Sequence, residues 1–174
     1  MVTILTKDNP LLRKVATEIA HNDFASEKLE NIKQDLHAGL QQEKYGVAIA
    51  APQIGHSVRM FLLDLKTIQA EQIFASITDN RYCYIINPKI TQVSKKMRRS
   101  VEGCLSVPGK VGTVLRHQKI TLDFFDEAGN KHTLQVQDFL ASVMQHEYDH
   151  LDGILYIDKA EEVHAVDENM NPIE

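Results

Sequence analysis

Asp138-Phe-Leu-Ala-Ser-Val-Met-Gln-His-Glu-Tyr-Asp-His-Leu-Asp-Gly153 combines a helical pattern with a chemical motif. Leu140, Val143, Met144 and Glu147 fall on related faces of a helix from Phe139 to about Leu151. Asp138 is expected to cap it and Gly153 to end it. His146-Glu-Tyr-Asp-His150 is an HExxH motif. Residues four apart lie one above the other on a helix, so His146 and His150 can offer two imidazoles to one metal ion. Glu147 follows the first imidazole and can reach water at the metal without being a ligand. There it serves as general base, while the metal lowers the pKa of the water toward ~7. Chance supplies this pattern roughly 0.03 times in such a chain, so two histidines that merely share a face are the weaker reading.

A catalytic metal of this type takes three protein ligands and one open position. Gly153 fits the extension HExxHxxGxxH, but Tyr156 stands where its third histidine belongs. A carboxylate ligand would have to be Asp158, Glu161, Glu162, Asp167 or Glu168, all in a segment of weak periodicity. Cys104, in Ser100-Val-Glu-Gly-Cys-Leu-Ser-Val-Pro108, is the better third ligand. Gly103 permits close backbone approach, and Pro108 favours an extended segment. Taken alone, a cysteine is more often a packed apolar thiol, and that reading holds for Cys83 within the apolar Tyr82–Ile86 run. In Gly46-Val-Ala-Ile-Ala-Ala-Pro-Gln-Ile-Gly55, small side chains leave room for a ligand backbone. Gln53 there either offers an amide N–H to a developing oxyanion or is a surface glutamine on a plain buried strand; the segment alone favours neither.

Further out, Asn9-Pro10 followed by Leu11, Leu12, Val15 and Ile19 predicts a first helix. A second is expected from the N-cap Ser26 through Leu29, Ile32, Leu36 and Leu40 to Tyr45-Gly46. Strands are expected at 58–64, 82–87 and 89–93, the last two interrupted by Pro88. Residues 119–125 and 131–136 flank the turn-rich Asp126-Glu-Ala-Gly-Asn130 and read as an antiparallel hairpin. The acidic tail from about 160 to 174 is expected to be a short helix or frayed end. The fold class is α+β: a single domain over 1–174, with short antiparallel or mixed sheets packed around a central helix carrying HExxH.

The chain has 174 residues, 43% hydrophobic and 25% charged, as in an ordinary globular protein that needs no disulfide to hold its core. Lys+Arg 19 against Asp+Glu 24 gives −5, which argues against a nucleic-acid-binding surface. Lys95-Lys-Met-Arg-Arg99 is expected to be a solvated loop. No apolar run approaches the ~18–20 residues of a membrane span. The N-terminal stretch lacks a signal-peptide layout, so a cytoplasmic location is expected, with both cysteines reduced.

Gly46-Val-Ala-Ile-Ala-Ala-Pro-Gln53, Glu102-Gly-Cys-Leu-Ser106 and His146-Glu-Tyr-Asp-His150 together resemble the three motifs of the peptide deformylases, in the same order. Ile4-Leu5, Asn9-Pro-Leu-Leu-Arg13, Ile86-Asn-Pro88 and His150-Leu-Asp-Gly-Ile-Leu-Tyr-Ile-Asp158 extend the resemblance to about Lys159. It implies a cytoplasmic, bacterial-type hydrolase that removes the formyl group from the N-terminal formyl-methionine of nascent polypeptides, met at the ribosome exit. By the same resemblance Cys104, His146 and His150 bind the metal and Glu147 is general base and acid. Gln53 and the backbone N–H of Leu105 stabilise the oxyanion. Gly46, Val47, Ala48 and Gly103 lie along the substrate backbone, and Phe139, Ser142 and Val143 line the methionine pocket. The implied metal is ferrous iron, replaceable by zinc, nickel or cobalt.

Two positions depart from the family pattern. Ala48 stands where a glycine is usual, and an arginine expected between Gly109 and Arg116 is absent or replaced by Lys110. The competing reading is a zinc endopeptidase that uses HExxH with a downstream carboxylate. A non-catalytic metal protein would need a fourth ligand, and none is apparent near Cys104.

Overall fold

A computed structural model describes residues 2–167, 169 and 171–173 of the chain. Helix α1 spans Glu27–Gln41, with the Ser26 hydroxyl accepting from the Leu29 N–H as an N-cap should. Leu29, Ile32, Leu36 and Leu40 form its buried face. The helix stops before the expected Tyr45-Gly46, because the next positions at helical spacing, Glu43 and Lys44, give no apolar contact to extend it. The first expected helix shrinks to a single 3-10 turn, Pro10–Arg13. Beyond it the chain runs extended, and its backbone pairs elsewhere: Ala16 N–H donates to Leu151 and Thr17 bridges Val58. Val15, placed on the apolar face of that expected helix, is 67% exposed.

Strands β1 (Ala48–Ala50), β2 (Met60–Asp64), β3 (Tyr82–Val93), β6 (Lys119–Phe125) and β7 (Lys131–Gln137) form one antiparallel sheet in the order β1-β2-β3-β6-β7. A four-residue helix α2 (Glu71–Phe74) lies between β2 and β3. Pro88 does not divide β3 in two. It sits at a register shift between Ile86 and Lys89, beside Asn87 at φ 48°, where a missing N–H disturbs the ladder least. The hairpin β6–β7 forms around Asp126, whose carboxylate accepts from the N–H groups of Ala128 and Asn130.

Strands β4 (Met97–Cys104), β5 (Val107–His117) and β8 (Glu162–Ala165) make a second antiparallel sheet, ordered β4-β5-β8. The expected solvated loop at Lys95–Arg99 is therefore half strand, and Arg99 pairs with Glu161. The expected helical or frayed tail instead contributes β8, because the free edge of β5 supplies partners for its backbone. Among the described residues, no helix is long and apolar enough to cross a membrane.

Helix α3 (Asp138–Leu151) packs against β1, β6 and β7 on one side and against β4 and β5 on the other. Eleven of its fourteen residues are buried. Asp138 starts it without a side-chain cap: its backbone is at φ 56° and its carboxylate accepts from Gln118 Nε2. Alternation along β2 joins the two halves of the core. Phe61 and Leu63 pack with Leu140 and Met144 of α3, whereas Met60 and Leu62 pack with Ile32 and Leu36 of α1.

Gly153 ends α3 at φ 73°, and a Cβ there would lie 2.6 Å from the Arg13 carbonyl oxygen. Gly55 has φ 93° but open space around it. Gly55→Ala is expected to cost only backbone strain, roughly 1–3 kcal/mol, while Gly153→Ala costs more because the extended Arg13–Lys14 backbone must move. Urea midpoints of the two variants measure the difference, and equal midpoints contradict the close packing.

Candidate metal centre

Two elements from different parts of the chain meet at one point. The HExxH histidines are presented by the buried face of α3. Cys104 ends β4, where the register shifts so that Gly103 pairs with Val111 but Cys104 pairs with Val107 across the tight turn Leu105-Ser106. This shift carries the thiol toward α3. Cys104 Sγ lies 3.3 Å from His150 Nε2, and one donor atom from each of Cys104, His146 and His150 falls within 4.8 Å of the others. A thiolate and two imidazoles are a set that zinc or ferrous iron accepts.

Among the described residues, two buried side-chain polar atoms have no hydrogen-bond partner, Glu147 Oε2 and His150 Nδ1. An orphaned carboxylate oxygen beside three convergent ligands is costly as structure and useful as a proton acceptor. Burial raises the Glu147 pKa against the pull of the His146 and His150 charges. At Cys104 burial also favours the neutral thiol. The His150 charge and hydrogen bonds from His146 and His150 overcome it and hold the pKa well below the thiol range. Cys83 lacks such partners, and burial, with Asp126 and Glu127 nearby, pushes it up to about 12.

A buried ion network holds His146 in place. His146 Nδ1 lies 2.9 Å from Glu102 Oε2, which leaves Nε2 for a metal. Glu102 in turn receives two 2.8 Å bonds from Arg116, which also donates to Asp149, and Asp149 accepts from Lys159 Nζ at 2.7 Å. Burial penalises the Glu102 charge, yet Arg116 and His146 bring its pKa down to about 2. Sequence reasoning missed these partners. Asp149 lies inside the motif itself, but nothing in the spacing shows that Glu102 and Arg116 face it from β4 and β5. Tyr156, in the place of a third histidine, stacks on His146 at 6.1 Å between ring centroids and donates its hydroxyl to the Lys110 carbonyl.

Gln53 arrives on a 3-10 turn, Ala51–Ile54, directly after β1. Its Nε2 lies 3.6 Å from Cys104 Sγ. A cleft of about 810 Å³ opens over the cluster. Gly46, Val47, Ala48, Gln53, Gly103, Leu105, Phe139, Ser142, Val143 and Glu147 all line it, as do Cys104 and His146. Phe139 is half exposed at the mouth, and the Ser142 hydroxyl is directed to the Asp138 carbonyl. Ala48 is packed in the core at 6% exposure. The cleft also reaches Lys44, Tyr45 and Val166, which the sequence did not single out for the site, and Lys110 and Asp167, which it did.

Four of the five carboxylates open to the endopeptidase alternative are engaged in other contacts. Asp158 pairs with Arg13, Glu161 with Arg99, Glu162 with His164, and Asp167 closes its own turn with Asn169 and Asn171. Glu168 lies outside the described residues.

A family model described as polypeptide deformylase matches residues 1–166. The chain is 34% identical to the peptide deformylase of Natranaerobius thermophilus over 166 residues, 95% of this chain and 96% of that one. It is 44% identical to the peptide deformylase of Chlorobaculum parvum over 116 residues, 67% of this chain and 58% of that one. Among solved structures, the Met-Ala-Ser-bound class I type b peptide deformylase of Acinetobacter baumannii superposes with a TM-score of 0.78 at 28% identity, covering 91% of this chain and 98% of that one.

Chelator-treated protein exposed to iodoacetamide at neutral pH is expected to be alkylated at Cys104 and spared at Cys83, with added zinc protecting Cys104. Peptide mass mapping reads both sites. Undiminished labelling of Cys104 with zinc present would remove it from the ligand set.

Proposed function

The chain belongs to the peptide deformylase family, and from that premise we propose how its residues divide the family's reaction, removal of the formyl group from the N-terminus of newly made polypeptides. Cys104, His146 and His150 hold the ion, which we take to be ferrous iron, with zinc, nickel or cobalt able to replace it. When bound, the ion supplies Lewis acidity to the formyl carbonyl and makes water acidic enough to attack near neutral pH.

Glu147 Oε2 accepts a proton from water as the water oxygen adds to the formyl carbon. Gln53 Nε2 and the Leu105 N–H donate to the oxygen that gains charge. Glu147 then returns its proton to the peptide nitrogen as the carbon–nitrogen bond breaks, leaving formate and a free methionine amine. Gly46, Val47, Ala48 and Gly103 carry the peptide backbone along the cleft. Phe139, Ser142 and Val143 receive the methionine side chain, with Phe139 closing the slot from the mouth. The observation that supports this division best is the buried, partnerless Glu147 Oε2 beside the Cys/His/His cluster.

The substrate is an N-formylmethionyl nascent peptide, met in the cytoplasm near the ribosome exit. Direct nucleic-acid binding is not part of the reading, given the net charge of −5. Formate release from formyl-Met-Ala-Ser, with metal content measured on the same sample, tests the assignment. Loss of both metal and activity in Cys104→Ala separates it from the endopeptidase alternative, which predicts that both survive.

Glu147→Gln is expected to keep stoichiometric metal while the rate falls on the order of 10²–10⁴. A metal-free variant or near-normal turnover removes Glu147 from the role. Formyl-Ala peptides are expected to turn over at least about 10-fold less well than formyl-Met peptides, since burying the thioether chain is worth roughly 1.5–3 kcal/mol. Equal turnover rejects the Phe139–Val143 slot.

A further inference from the structure

The side-chain amide of Gln53 is held by three contacts, and only one of them faces the metal cluster. Its Oε1 accepts from the Ala50 N–H at 2.8 Å, which fixes which end of the amide is oxygen, because a backbone N–H can only donate. Its Nε2 lies 3.1 Å from Ser106 Oγ and 3.6 Å from Cys104 Sγ. An amide nitrogen has two N–H bonds in one plane. With Oε1 bound by Ala50 and one N–H donated to Ser106, the plane is set, and the second N–H is the one facing Cys104. Gln53 is 2% exposed and Ser106 is fully buried, so water does not compete for either group.

The backbones of the two residues are tied together by the N-terminal segment. Leu5 N–H donates to the Gln53 carbonyl at 2.7 Å, and Lys7 N–H donates to the Ser106 carbonyl at 2.8 Å. The turn after β1 and the turn after β4 are thereby held side by side, and the pairing of Gln53 with Ser106 does not depend on the Ser106 hydroxyl.

We propose that Ser106 is a positioning residue for the reaction: its hydroxyl takes one N–H of Gln53 so that the other is aimed at the reacting carbonyl oxygen. The proposal rests on the reading of Gln53 as oxyanion donor. It adds a residue that touches neither substrate nor metal and works only through Gln53. Removing the hydroxyl leaves the amide tethered at Oε1 by Ala50 and at nitrogen only by the long contact to Cys104, so the donor is present but poorly aimed. The effect belongs in kcat and not in KM, because the misaimed bond is one that strengthens in the transition state.

The test uses zinc-loaded Ser106→Ala, Gln53→Ala and the double variant on formyl-Met-Ala-Ser, with metal content and the Gln53 side-chain ¹⁵N–¹H signals recorded for each. Ser106→Ala is expected to lower kcat about 10-fold, with KM within about twofold and metal content unchanged. In the double variant it is expected to add nothing to the loss caused by Gln53→Ala. The Gln53 amide pair, assigned by its absence in Gln53→Ala, is expected to shift and exchange faster with solvent in Ser106→Ala. A wild-type rate in Ser106→Ala, or losses that multiply in the double variant, overturns the positioning role while the donor reading stands. A wild-type rate in Gln53→Ala overturns the donor reading itself. The amide signals then still report whether Ser106 orients Gln53, and an unchanged signal in Ser106→Ala overturns that as well.

Discussion

The Glu102–Arg116–Asp149 ion cluster is the interaction on which the rest of the centre depends. It joins β4, β5 and α3 through charged groups that are almost wholly removed from water. Burying such charges is expensive, and replacing a buried pair with apolar side chains often leaves a protein as stable or more so. Breaking one is another matter, at about 3–5 kcal/mol, because a bare charge remains inside. The cluster is thus a weak source of net stability but costly to break. It spans the small sheet and α3 in the arrangement in which Cys104 and the two histidines converge. Glu102 also fixes which nitrogen of His146 is available, so the geometry of the fold and the chemistry of the ligand are set by one carboxylate.

Legibility in the sequence followed the range of the forces involved. The α1 cap at Ser26, the β6–β7 hairpin and the whole of α3 depend on neighbours within a few residues, and they form where the pattern places them. The chemical motifs were readable for the same reason, since HExxH needs only one helix. Elements that depend on distant partners were not. Pro88 looks like a break until the bulge that absorbs it is seen. Residues 97–117 carry Pro108, Gly109 and Gly112, which disguise two long strands, and Gly112 is needed because a Cβ there would press on Glu162 and Tyr156. The N-terminal apolar residues have helical spacing, but a backbone spent on Leu151 and Ser57 cannot also close helical turns.

The same contrast separates the site from its support. Cys104, His146, Glu147 and His150 could be singled out because their types are rare in that arrangement. Arg116, Lys159 and Ser106 are ordinary residues in ordinary contexts, and only the register of β4 on β5 and the approach of α3 give them work. Lys159 is the outermost of them, partly open to solvent yet linked through Asp149 and Arg116 to the carboxylate that holds His146.

The strap of Leu5 and Lys7 has a consequence in time. Its acceptors, the carbonyls of Gln53 and Ser106, lie far along the chain, so the strap can close only after both turns have been made. Contacts between residues so far apart in sequence are slow to close and are secured late in folding. Release of this one strap would free the Gln53 and Ser106 carbonyls together, so the two turns beside the cleft would lose their shared anchor in a single event.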